Sequence, residues 1–194
     1  MSENLTRLLA EIRSCRICEA ELEPRPVIHA KASAKILVAS QAPGIRVHHS
    51  GQSFNDTSGD RLRAWMGVTR EEFYDERRIA LAGMAFCFPG YDADGSDRPP
   101  PPICARHWRT RLMAALPHVA LILLAGSYAL NWHLGDSAKS NMTQTVRAWR
   151  DYGPRYIPLP HPSWRNNGWL KQNPWFEREL LPTLRRRVRR LLSS

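Results

Sequence analysis

Leu5, Leu8, Leu9 and Ile12 recur at helical spacing and predict an amphipathic helix that ends at Cys15-Arg16-Ile17-Cys18. Residues 35–39 form a short apolar run that stops at the turn signal Pro43-Gly44, which reads as a buried strand. Ser58, Gly59 and Asp60 can open a helix through Met66, with Asp60 as the expected cap. Residues 78–86 read as a second strand and the Pro-rich stretch 91–102 as a surface loop. A helix is expected over 104–116, closed by Pro117, and residues 119–125 give the third and most buried strand. Further helices are expected over 127–134, 142–152 (Thr145, Ala148 and Trp149 marking its packed face) and 174–192. A mobile loop is expected at 137–141, and a fourth strand over 156–159, limited by Pro158 and Pro160. Trp169 and Trp175 read as packing for the last helix.

Strands that alternate with helices predict an α/β fold: a three-layer α/β/α sandwich around a four-stranded, mainly parallel sheet, in one domain over residues 1–194. In such sheets ligands bind beyond the carboxyl ends of the strands. Gln41-Ala42-Pro43-Gly44 follows the first strand and His161-Pro162-Ser163 the fourth, so both segments are expected at one edge.

Composition narrows the partner. Hydrophobic residues make up 43% of the 194, which suits one globular domain and excludes general disorder. The net charge is +10, from 28 basic and 18 acidic residues, and the pI is about 10.1. Only Lys31, Lys35, Lys139 and Lys171 of the basic residues are lysines. Arginine forks and stacks, so the balance leans toward phosphate and base contact, although charge by itself fits an acidic membrane or simple solubility too. Charges interrupt the first thirty residues, and the longest apolar run, 119–125, is too short to span a bilayer. A cytoplasmic protein is expected, monomeric and without membrane contact, with its cysteines as thiols.

Read alone, Pro43-Gly44 is an ordinary turn, and His161 between two prolines is a stiff extended segment. In combination, Ser40-Gln41-Ala42-Pro43-Gly44, Ser50-Gly51-Gln52-Ser53-Phe54 and His161-Pro162-Ser163 resemble the three motifs of the uracil-DNA glycosylase superfamily. The resemblance runs from Cys15 to about Leu184 and is closest to the iron–sulfur-containing bacterial branch, the family-four-like enzymes.

That resemblance implies a DNA-repair enzyme that flips a nucleotide into a tight pocket and hydrolyses its N-glycosidic bond, leaving an abasic site. Phe54 matches the aromatic that stacks on the flipped base. His161 matches the donor to the departing base, and Gln41, Ala42, Pro43 and Gly44 the pocket floor. Ser163, Trp164, Arg165 and Asn166 match the loop that presses on single- or double-stranded DNA. The chain departs from the family at two places. Gln41 stands where the iron–sulfur branch has glutamate, and Ala42 where the best-known branch has aspartate, so neither carboxylate is present. Asp56 is then the candidate for placing water or stabilising the sugar cation, with Gln41 able to orient water only. The base-reading asparagine would fall near Gly83-Met84, where there is no amide, and Asn55 is the alternative amide. The excised base is therefore open between uracil and another deaminated or damaged base. A weak or inactive DNA-binding member is the alternative.

Cys15 and Cys18 form a C-x2-C pair, while Cys87 and Cys104 stand sixteen residues apart. Their spacing fits a zinc site, an iron–sulfur cluster or four unrelated buried thiols. The resemblance matches all four, in order, to the ligands of a 4Fe-4S cluster, with zinc or an empty site as the outcome of purification in air. Two further features are open. His48-His49 reads as an exposed loop pair, inert or binding metal, phosphate or the pocket. Arg185, Arg186, Arg187, Arg189 and Arg190 form the polar side of a docked helix or a phosphate-binding face.

Overall fold

The computed structural model describes residues 4–193. Asn4 caps α1 (Leu5–Arg13) by accepting from the Thr6 and Arg7 backbone N–H groups, and the predicted stripe Leu5, Leu8, Leu9, Ile12 is buried. Four strands follow: β1 (Ile36–Ser40), β2 (Ile79–Gly83), β3 (Leu121–Ala125) and β4 (Tyr156–Leu159). All pairings are parallel, in the order β2-β1-β3-β4. The chain therefore leaves β1 to one side for β2 and to the other for β3, which puts a topological switch point at the carboxyl end of β1.

Side chains alternate across this sheet and build two cores. Leu37, Ala39, Ala80, Ala82, Ile122 and Leu124 pack with α1, α5 (Pro102–Ala114) and α6 (Ser127–Leu134). Ile36, Val38, Ile79, Leu81, Leu123 and Ile157 pack with α3 (Thr57–Met66), the short helix α4 (Arg70–Tyr74) and α9 (Leu181–Ser193). The three-layer sandwich is thus as expected, with a wholly parallel sheet. Among the described residues no helix is long and apolar enough to cross a membrane.

Several expectations are corrected. The second strand ends at Gly83, because the Met84 and Ala85 N–H groups turn to the Ser40 and Gln41 carbonyls. Residues 45–50 are helical (α2, Ile45–Ser50), so His48-His49 is no exposed loop pair: His48 is 4% exposed and bonds Glu23. The cap of α3 is Asp56, which accepts from Gly59 N–H, whereas Asp60 pairs with Arg63 at 2.6 Å. The helix expected over 142–152 is α7 (Met142–Arg147) followed by a separate tight turn, Trp149–Tyr152. Residues 176–180 widen into a π turn before α9. Pro182 has no N–H to continue the α pattern there.

The basic helix is docked. Val188, Leu184 and Leu192 are buried, and Arg185 and Arg189 donate to the Ala64 and Gly67 carbonyls. Its last residues lie beside Arg78, just before β2, and so at the amino edge of the sheet.

Candidate active site

The carboxyl ends of β1, β2 and β3 and the segment after β4 meet at one edge. Met84 N–H donates to Ser40 and Gln41 carbonyls at 2.8 Å, which ties the end of β2 to the Gln41–Gly44 turn. A Cβ on Gly83 would stand 2.6 Å from the Ala85 carbonyl oxygen and 3.5 Å from Ala42 Cα. No side chain fits there without moving backbone. Beneath it lies Arg109, 1% exposed, which donates to the Ala82 and Gly83 carbonyls at 3.1 and 2.6 Å. Burial pulls its pKa down to about 10, which leaves it cationic at neutral pH. Its second terminal nitrogen has no protein partner.

Phe54 is buried and takes an uncommon conformation, with φ of 58°. Such a backbone persists only where its surroundings hold it. Here Tyr74 Oη donates to the Phe54 carbonyl at 3.0 Å and buried Arg63 at 3.3 Å, while Phe73 packs edge-on at 5.9 Å. Gly59 of α3 lies against the same carbonyl: a Cβ there would come within 1.8 Å of it. Asn55, by contrast, is exposed, and its amide oxygen accepts from Arg70 at 2.9 Å, so it stands apart from the floor.

His161 is held on three sides. Gly126, with φ of 93°, ends β3 so closely that a Cβ would sit 3.4 Å from His161 Cβ. Asn166 Nδ2 donates to the His161 carbonyl at 2.7 Å, and Arg61 on α3 donates to the Ser163 carbonyl and to Asn167 Oδ1 at 2.8 and 2.7 Å. Burial pushes the His161 pKa down and the Asp56 charge opposes this. The imidazole is therefore neutral at pH 7 and keeps one N–H to donate. Asp56, the cap of α3, acts on it through its charge. Trp164 is 69% exposed, with the Arg165 guanidinium 5.8 Å from its ring centre. Asn166, expected at the DNA, has its amide turned inward to the loop it belongs to.

Sequence reasoning missed Arg61, Arg63, Gly59, Tyr74, Gly126 and Arg109. Only Arg109 has a local signal: it interrupts the apolar stripe Ala105, Trp108, Leu112.

On the other side of α5, Cys15, Cys18, Cys87 and Cys104 line a single pocket with Ile12, Pro26 and Trp108. Each is a free thiol. Burial pushes Cys104 up to about 12 and Cys87 to about 11, and the other thiols add to both shifts. Among the described residues no group of three or more His, Cys, Asp or Glu is drawn tightly enough to hold a metal ion as it stands.

Comparison with known proteins places this edge in context. The model of the uracil DNA glycosylase superfamily matches residues 28–185, which is well over half of the chain. A solution NMR structure of a Methanosarcina acetivorans protein, provisionally named a uracil DNA glycosylase, is similar at 16% identity. It covers 84% of this chain and 98% of that one, with a TM-score of 0.49.

Proposed function

The chain belongs to the uracil DNA glycosylase superfamily, and on that premise we propose that it hydrolyses the N-glycosidic bond of uracil or another deaminated or damaged base in DNA. The observation that carries this reading is the arrangement at the sheet edge. A neutral, backbone-clamped His161 follows β4, packs against Gly126 at the end of β3 and feels the Asp56 charge, while Gly83 at the end of β2 packs tightly on the Gln41–Ala42 backbone after β1.

The flipped base would rest between the Gln41–Gly44 backbone and Phe54. As the C1′–N bond breaks, its electron pair moves onto the base, and the His161 N–H stabilises that charge. A cation develops on the sugar, and the Asp56 carboxylate, whose charge acts on His161, would offset it. Exposed Trp164 would stack on or wedge the DNA, and Arg165 would hold phosphate. Because Gly83 leaves no room for a base-reading amide, the pocket selects by shape more than by hydrogen bonds. Discrimination among deaminated bases is therefore expected to be weak.

The test is a panel of single- and double-stranded oligonucleotides carrying uracil, hypoxanthine, xanthine or oxidised pyrimidines. Alkali-labile product from at least one is expected. None from any would reject base excision and leave the alternative, a DNA-binding member without activity.

We also propose that Cys15, Cys18, Cys87 and Cys104 hold a 4Fe-4S cluster, as in the iron–sulfur branch of the family. Support comes from their convergence on one apolar pocket from three separate segments. A cluster sets its ligands wider apart than a single ion does, which suits thiols that surround a space. When bound it would tie the end of α1 to the segment after β2 and to α5. Protein prepared without air is expected to contain iron and acid-labile sulfide in equal amounts; absence of both would reject the cluster.

A further inference from the structure

The loop between β2 and α5 folds back over the site. Tyr91 and Asp97 form an isolated bridge, Asp92 N–H donates to the Ser96 carbonyl at 2.9 Å, and Arg98 N–H to the Gly90 carbonyl at 2.9 Å. Gly90 and Gly95 take φ of 84° and 79°, which only glycine adopts without strain. The result is a tight hairpin that delivers Asp97 to the first motif. Its Oδ2 lies 3.5 Å from where a Cβ on Gly44 would stand. Gly44 therefore has the Asp97 carboxylate directly over it.

Asp97 is exposed as a residue, yet its carboxyl end is the part that meets Gly44, and burial there raises its pKa. The groups that face it are Arg165, which lowers the pKa, and Asp92, which raises it. No hydrogen bond from the described residues engages its carboxylate. Asp56 differs: its Oδ1 accepts the Gly59 N–H.

We propose that Asp97 is a catalytic base of this site, a carboxylate brought by the loop after β2 to the Gln41–Gly44 segment, which has none of its own. This rests on the base-excision reading above. Water oxygen bonds to C1′ as the C1′–N bond breaks and its electron pair leaves on the base. One water proton passes to Asp97, which returns it to solvent, and the base takes a proton from solvent. Water is thus added across the bond and the carboxylate is regenerated. The Arg165 charge lowers the Asp97 pKa, so a phosphate that pairs with Arg165 would offset that charge and leave Asp97 more basic.

The experiment compares single-turnover excision by wild type, Asp97→Asn and Asp97→Glu over a range of pH, on whichever panel oligonucleotide is cleaved, together with DNA affinity. Asp97→Asn is expected to slow excision about 100-fold while DNA binds as well or better, since a negative charge near phosphate is gone. Wild type must lose rate as pH falls through the raised carboxyl pKa, above the ordinary value of about 3.9. Asp97→Asn should lack that acid limb, and Asp97→Glu should regain part of the rate and the limb. An active wild type with an Asp97→Asn variant of similar rate and unchanged acid limb overturns the role of Asp97 alone. A wild type that cleaves nothing overturns the base-excision reading, and Asp97 chemistry with it. Equal losses in Asp97→Asn and Asp97→Glu, with lowered melting temperatures, would make Asp97 a loop-holding residue instead.

Discussion

Replacing His161 with alanine is expected to slow single-turnover base excision by about 10²–10³-fold, the usual worth of one donor aimed at developing negative charge. The reason is geometric. The close approach of Gly126, the Asn166 amide on the His161 carbonyl and Arg61 on the Ser163 carbonyl fix the backbone, so the imidazole needs no reorganisation during the reaction. Burial keeps the ring neutral, so the N–H is available at neutral pH. The loss should lie in the rate at saturating enzyme, with DNA affinity nearly unchanged, because the hydrogen bond strengthens only as the base departs. Asn166→Ala leaves the imidazole in place but frees its backbone. One hydrogen bond of about 1 kcal/mol corresponds to a loss of about fivefold. An active wild type whose His161→Ala variant excises at the same rate would reject His161 as the donor.

Gly59→Ala is expected to destabilise the fold by about 2 kcal/mol or more, although alanine is the better helix former. In an open helical position the same change stabilises by about 0.5–1 kcal/mol. Gly168 in α8 (Asn167–Gln172), with nothing within 4 Å of its would-be Cβ, supplies that comparison. At Gly59 the new methyl would meet the Phe54 carbonyl at 1.8 Å. That carbonyl cannot retreat cheaply, since Tyr74 and Arg63 both bond it and Phe54 is already at φ of 58°. A fall in melting temperature of about 4–8 °C follows for a chain of this size, and excision should fall too as Phe54 shifts. Thermal unfolding of both variants checks this: opposite signs at Gly59 and Gly168 are expected. A stabilised Gly59→Ala would mean that Phe54 is not held as described.

Much of the scaffold is legible in the chain itself. Runs such as Leu121–Ala125 are apolar throughout because both faces of a parallel strand are covered, and α1 shows its buried stripe because one face alone is. Where local pattern misled, a contact distant in sequence was responsible. Residues 84–86 read as strand, but the Met84 and Ala85 N–H groups bond the Ser40 and Gln41 carbonyls at the end of β1. Asp60 looked like the cap of α3, yet Asp56 took that place and Asp60 went to Arg63. His48 looked exposed until α2 formed and turned it inward.

The sequence by itself determined the alternating α/β order, the placement of Gln41–Gly44 and His161–Ser163 at one edge, and the family resemblance. All of these depend on short-range periodicity and on motifs read in order. Only the tertiary structure decided how Phe54 is held, that Gly83 has no room for a side chain, that four cysteines line one pocket, and that Asp97 stands over Gly44. These features join residues tens of positions apart through single hydrogen bonds or close backbone approaches. Nothing in the neighbouring sequence encodes such contacts, because they exist only once the helices and strands have packed.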